Sequence, residues 1–359
     1  MVSLFPEANH VRLVLDWYSA GACYTDSFSP DPSTGYLAPA WLKYMDDAVE
    51  WVTSAGLWIT ITMRNNIGTN SPHGKAPPMP CSADYILNTT LRHMWFQAWK
   101  FIAHRYRGVD RIAWYEPASE PHLRPAFKEK QCEHTNKDVM QLLGSVIAAI
   151  REVDADTPVA ISPEYNACPG LGIAQKLNDT QVIYALNWWC NQKVAYGADT
   201  TCGAVFGQIQ SPCVRACAGY TKTNDPPVKY NRTTLIDLFN AAAAFQDRHK
   251  VPVWVDQLGC PSAAPGGAKN WLRDSMDLFD GRGLHWSWWT WRGGNMGVLQ
   301  PPCDTNQCKK DVNHYQLDRG NVALIAGAFE SSSRSQNPHD VREDPSIITA
   351  DYMMSNHIF

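Results

Sequence analysis

The sequence lacks an apolar run of the ~20 residues that a membrane-spanning helix needs, so no membrane span is expected. It also lacks a basic run or stripe, and its net charge is only -4, which argues against a nucleic-acid partner. Cys213 and Cys217 are followed by no His/Cys pair at ligand spacing, so no metal and no cofactor are expected. Internal repeats are missing. Met1 to Pro6 has neither the charged start nor the apolar stretch of a secretory leader, which points to a mature or truncated form.

What is plentiful is cysteine and aromatic surface. Eleven cysteines suggest an oxidising compartment. Three Asn-x-Thr sequons, at Asn88, Asn178 and Asn231, agree with a secreted glycoprotein. The odd cysteine count leaves one thiol without an internal partner, which fits truncation, a free thiol or an intermolecular bridge. Fifteen Trp and fourteen Tyr offer faces on which sugar rings can stack, although most are expected to fill the core.

The chain of 359 residues suits one α/β barrel. Short apolar runs alternate with helical patterns. Strands are expected at 11–16, 57–63, 111–115, 158–162, 182–188, 251–255 and 284–289. Helices are expected at 39–55, 91–106, 137–153, 232–249 and 269–279. Such alternation implies a parallel sheet with helices outside. An eight-stranded barrel needs one strand more than these, and Gly320 to Phe329 is apolar enough to supply it. The barrel is assigned to 1–300, with a Cys-rich loop at about 190–230. Residues 301–359 read as an irregular extension. The 190–230 loop is long unless stapled or functional, and disulfides are the expected role of its cysteines.

The stretch Trp114 to Pro121, WYEPASEP, ends a buried strand in Glu120, fixed by Pro121. A carboxylate at the carboxyl end of a barrel strand is where barrel enzymes place chemistry. The segment from Glu116 to Pro121 resembles the acid/base signature of glycoside hydrolase family 5, roughly Glu-Leu-x-Asn-Glu-Pro, with Ser119 in place of Asn. Val253 to Gly259, VWVDQLG, resembles the nucleophile strand of that family, with Gln257 in place of Glu. Asn9 to Arg12 is similar to its second strand, which would leave the first strand before Met1 or supplied by another segment. The resemblance covers roughly residues 9–292 and implies a (β/α)8 TIM barrel of the cellulase-like type.

By the resemblance, Glu120 is the acid/base, and Arg12 is the arginine that steadies the nucleophile. It also places Trp289 as the sugar-stacking residue of the last strand, with Trp288 and Trp291 as alternatives. Thr62, Met63, Arg64 and Asn65 stand where the family ends its third strand in His. Asn187, Trp188 and Trp189 stand where it ends its sixth strand His-x-Tyr. Retaining glycosidases need two carboxylates about 5–5.5 Å apart. The neutral amide of Gln257 is a very poor nucleophile, so hydrolysis is expected to be impaired or lost. Asp256 is expected to point away from Gln257, because side chains alternate along a strand. Glu164, after the strand at 158–162, reads as a loop residue.

Two functional classes follow. One is a secreted barrel that binds or acts on a β-linked polysaccharide or oligosaccharide through Glu120, Gln257, Arg12, Ser119, Asn187, Trp189 and Trp289. The other is a catalytically dead extracellular structural protein, for which self-association is expected.

Overall fold

The computed structural model describes residues 4–16, 31–64, 89–119, 121, 132–162, 175–190, 195–200, 228–264, 267–292, 295–301 and 314–335. Its elements run β1 (His10–Asp16), α1 (Pro39–Ser54), β2 (Trp58–Arg64), α2 (Thr89–Tyr106), β3 (Ile112–Glu116), α3 (Cys132–Arg151) and β4 (Val159–Ile161). They continue with β5 (Val182–Trp189), α4 (Arg232–His249), β6 (Val253–Gly259), α5 (Ala268–Asp280), β7 (His285–Trp288) and α6 (Arg319–Ser335). The seven main strands form one sheet in chain order, and every neighbouring pair is parallel. This is a nearly closed (β/α) barrel, and sequential parallel pairing through outer helices is the topology that the alternating pattern implies.

The helices sit where amphipathic spacing puts them. α1 buries Leu42, Met45, Ala48 and Val49, which share one face at a 3.6-residue period. α4 starts at a capping box in which Asn231 accepts from the backbone of Thr233 and Thr234, and it ends on Lys250 in the left-handed region. α5 presses Trp271, Leu272, Met276 and Phe279 inward. The large core lies between these helices and the outer faces of the strands, with Ile59, Ile61, Met63, Tyr115, Val159, Ile161, Tyr184, Val253 and Val255 among its members.

A separate apolar cluster fills the barrel itself: Trp114, Trp254, Ala113, Ala160, Ile183 and Ala185, with Trp58 packed against it. His10 stacks on Trp114 at 5.0 Å, and Trp114 meets Trp254 edge-on at 4.9 Å. The barrel is therefore a plugged cylinder, in which His10 meets Thr60 at 2.7 Å and Trp254 donates to Ser287 at 3.2 Å, and its charged side chains lie in the layer above.

Among the described residues no eighth strand joins this sheet, and β1 and β7 are its two ends; the remaining strands form two separate two-residue pairs, 199–200 with 228–229 and 299–300 with 316–317. Gly320 to Phe329, expected as a possible strand, is helical. Its buried residues Leu324, Ile325, Ala328 and Phe329 follow helical rather than alternating spacing. Phe329 packs on Phe5, ahead of β1, and on Trp286 of β7. The ends of the sheet are thus bridged by α6 and the residues before β1, through side chains rather than a hydrogen-bonded strand. α6 also means that 301–359 is not irregular throughout.

Candidate active site at the barrel mouth

The strands deliver a buried polar layer above the aromatic plug. β1 brings Arg12, β2 brings Thr62, β3 ends in Glu116, and β6 brings Asp256 and Gln257. Glu116 is fully buried, and Ser119, Asp256 and Gln257 are within 2% of it. The Arg12 guanidinium is the hub. Its Nε donates to Glu116 Oε2 at 2.7 Å and its Nη2 to Glu116 Oε1 at 2.6 Å. This two-pronged geometry is the strongest arginine–carboxylate arrangement. Nη2 also donates to Ser119 Oγ at 2.8 Å and to Asp256 Oδ2 at 3.2 Å. Two hydrogens on Nη2 serve three oxygens, so at least one is shared. Thr62 Oγ1 donates to Glu116 Oε2 at 2.7 Å. Below, Arg12 lies 5.6 Å from the centre of the Trp254 ring.

Arg12 and Gln257 meet through Ser119. The Gln257 Nε2 donates to Ser119 Oγ at 3.2 Å, on the same hydroxyl that accepts from Arg12. The backbone of Ser119 is tied to β2 by its N–H to the Met63 carbonyl at 2.8 Å.

Asp256 overturns an expectation. It does not face away from Gln257; both lie in this layer. The pairing of β6 shows why. Leu186 of β5 opposes Val255, but Asn187 opposes Gln257, so the register skips Asp256. On the other side, Val255 opposes Trp286 and Leu258 opposes Trp288. Asp256 is the extra residue of a β-bulge, which breaks alternation and turns two successive side chains to one side. Two signs were available in the sequence: a charged residue within a fully buried strand, and a potential partner in Arg12.

Trp289 follows β7, and its N–H is held by the Leu258 carbonyl at 2.8 Å. The Arg64 guanidinium sits 4.9 Å from the centre of its ring. Arg64 and Trp289 are thereby brought together at the mouth, in a cation–π contact. Trp189 stands at the end of β5 beside Gly259, where a Cβ would fall on the Trp189 ring and the Met296 sulfur. Trp189 therefore needs that glycine. Asn187 is opposite Gln257 in the ladder. Cys190 is bonded to Cys260, stapling the ends of β5 and β6.

Glu120, Asn65, Glu164 and Asn88 lie outside the described residues. Asn178 is exposed, and Asn231 caps α4 with its side chain. Among the described residues no group of His, Cys, Asp and Glu is arranged to hold a metal ion. No helix among them is long and apolar enough to cross a membrane.

Comparison with known proteins fits this geometry. A family model described as cellulase (glycosyl hydrolase family 5) matches residues 6–295. Among solved structures, Thermotoga maritima Cel5A in complex with mannotriose superposes with a TM-score of 0.57 at 13% identity, covering 88% of this chain and 85% of that one. The cellulose synthase subunit Z of Clostridioides difficile superposes with a TM-score of 0.56 at 13% identity, over 88% and 87%. Pseudomonas stutzeri endoglucanase Cel5A does so at 0.54 and 15% identity, over 86% and 82%. At these identities the superpositions speak to the fold.

Proposed function

Because the chain belongs to glycosyl hydrolase family 5, we propose that its barrel mouth binds a β-linked glucan or mannan oligosaccharide with retaining hydrolysis lost or strongly impaired. The observation that carries the proposal is Gln257. It is buried in the polar layer at the carboxyl end of β6 and hydrogen-bonded to Ser119. A carboxylate at this place would attack the anomeric carbon, while Glu120 protonated the leaving oxygen. The amide has no charge to neutralise the developing cation and forms no stable glycosyl ester. Binding can outlive that loss. Trp289 at the mouth offers a ring on which a sugar can stack, and solved family members carry mannotriose and cellobiose.

Secretion belongs to the same proposal. The Cys190–Cys260 bond and the sequons Asn88, Asn178 and Asn231 support it.

Calorimetry with β-glucan and β-mannan oligomers, beside a hydrolysis screen, tests the proposal. Weak binding without turnover is expected, and Trp289→Ala should weaken binding about 2- to 12-fold while the protein stays folded, since stacking on aromatic faces is worth about 0.5–1.5 kcal/mol. Turnover lost on Glu120→Gln but unaffected by changes at Gln257 would refute the assignment of Gln257. Absence of binding to every oligomer by the folded chain would point to a purely structural role.

A further inference from the structure

The polar layer contains a second carboxylate where alternation would have placed none. Asp256 is brought inside by the β6 bulge, its side chain is fully buried, and it pairs with Arg12 at 3.2 Å. Arg12 is already engaged by Glu116 at 2.6 Å. Among the described residues the layer thus sets one cation against two carboxylates. The other titratable or charged groups around it are His10 of β1, bonded to Thr60 at 2.7 Å, and Arg64, over Trp289 at the rim. By sequence, Glu120 follows Ser119 and adds another carboxylate to this part of the chain.

We propose that Asp256 is a positioning residue that fixes Arg12 within the layer and keeps position 257 neutral. The physical reason is local charge. The Nε and Nη2 hydrogens of Arg12 go to Glu116, Ser119 and Asp256. A carboxylate at 257 would be the next negative group around the same cation. Carboxylates sharing a buried site cannot all ionise at ordinary pH, and the last to do so has its pKa raised. Gln257 is the neutral isostere that such a layer accepts. The loss of the nucleophile is then secured twice: by the amide itself and by the neighbouring carboxylate that has taken the arginine.

It follows that Gln257→Glu alone does not restore a nucleophile, whereas Asp256→Asn with Gln257→Glu does so in part. The first test is independent of any substrate. Thermal unfolding of the whole chain, of Gln257→Glu, of Asp256→Asn and of the double variant is followed from pH 4.5 to 8. The folded pKa of the introduced carboxylate lies above its unfolded value of about 4.3, so its cost is absent at low pH. That cost grows as pH rises toward the folded pKa, then levels off. Gln257→Glu should lie closest to the parent at pH 4.5 and lose stability progressively above it. The double variant should show little of this slope.

A deficit of Gln257→Glu that is the same at every pH, or a slope equal in the double variant, overturns the proposal. So does failure of Gln257→Glu to fold at pH 4.5, where a protonated Glu has the shape and charge of Gln.

The second test rests on the glycosidase reading. On a β-glucan oligomer at pH 7, the double variant should exceed Gln257→Glu about tenfold in kcat/KM, as a pKa change of more than one unit across neutrality implies. Turnover by the parent that disappears in Asp256→Asn would make Asp256 itself the nucleophile and overturn the positioning role. If no variant binds the oligomer, the function proposed above fails while the pH-stability result still decides the role of Asp256.

Discussion

Removing Arg12 should expose how much of the stability of the barrel rests on this layer. The side chain is 4% exposed and the two carboxylates it holds are completely buried. Arg12→Met keeps most of the stem that packs above Trp254 but removes the charge and four hydrogen bonds. Adding the bonds separately would overcount, because their desolvation costs are shared. The relevant scale is that of breaking a buried pair by removing one partner, about 3–5 kcal/mol. Against a total stability of about 5–15 kcal/mol for a domain, this is a large fraction. The cost should depend on pH. Without Arg12, the layer would bury two carboxylates without this cation, and nothing on Arg12 would offset the cost of desolvating their charged forms. The deficit should then be smaller toward acid pH, where carboxylates of the unfolded chain begin to take up protons, and larger at neutrality. Urea denaturation followed by tryptophan fluorescence at pH 4.5 and 7.5 reads this directly. Arg12→Met combined with Glu116→Gln and Asp256→Asn should recover most of the loss at pH 7.5, because no net charge is left buried. A deficit under 1 kcal/mol for Arg12→Met, or one indifferent to pH, would refute the electrostatic account of the layer.

Two further outcomes follow from elements around the mouth. Replacing Cys190 and Cys260 together by Ala removes a bond that closes 70 residues of chain, and loop-closure entropy puts the loss at about 4 kcal/mol, readable by the same denaturation. Asp154, just past α3, accepts from Asp156 N, Thr157 N, Thr157 Oγ1 and Tyr115 Oη. Burial alone would raise its pKa, but these donors outweigh it and hold it below the usual carboxylate value. Its contribution is therefore present above about pH 4 and is lost as pH falls further. Asp154→Ala should cost about 2–3 kcal/mol at pH 7 and progressively less below pH 4; an equal cost at pH 3 and 7 would contradict this.

The strands and helices of the barrel were legible because each outer face is a local pattern. Arg232 to His249 reads directly as a helix, and its bounds agree with α4. The closure of the barrel was not legible. Gly320 to Phe329 is apolar enough for either a strand or a helix. What decides is a tertiary partner: Phe329 fits between Phe5 and Trp286, and a helix brings Leu324, Ile325 and Ala328 to bear along with it. At the site, the motif positions Arg12, Ser119 and Gln257 could be picked from the chain, and the structure brings these three together. Asp256 could not be placed, because alternation holds only for an unbroken strand. A bulge depends on pairing with both neighbours, and nothing in VWVDQLG announces it except a buried charge in search of a partner.

That partner also ties the polar side chains of the site to one another. A lone exchange of Glu for Gln at 257 would leave its amide hydrogens to be satisfied in a buried layer. Ser119 does this with one atom, whose two lone pairs accept from Gln257 at 3.2 Å and from Arg12 at 2.8 Å. A larger amide at 119 would bring its own donors into a layer already rich in them. Asp256 pairs with the same arginine at 3.2 Å. Gln257, Ser119 and Asp256 form one hydrogen-bonded network around Arg12. Substitutions at neighbouring positions of one network are non-additive. The loss on changing Gln257, Ser119 and Asp256 together should therefore differ from the sum of the three single losses, which denaturation of the single and triple variants reads; a sum that matches would refute the coupling.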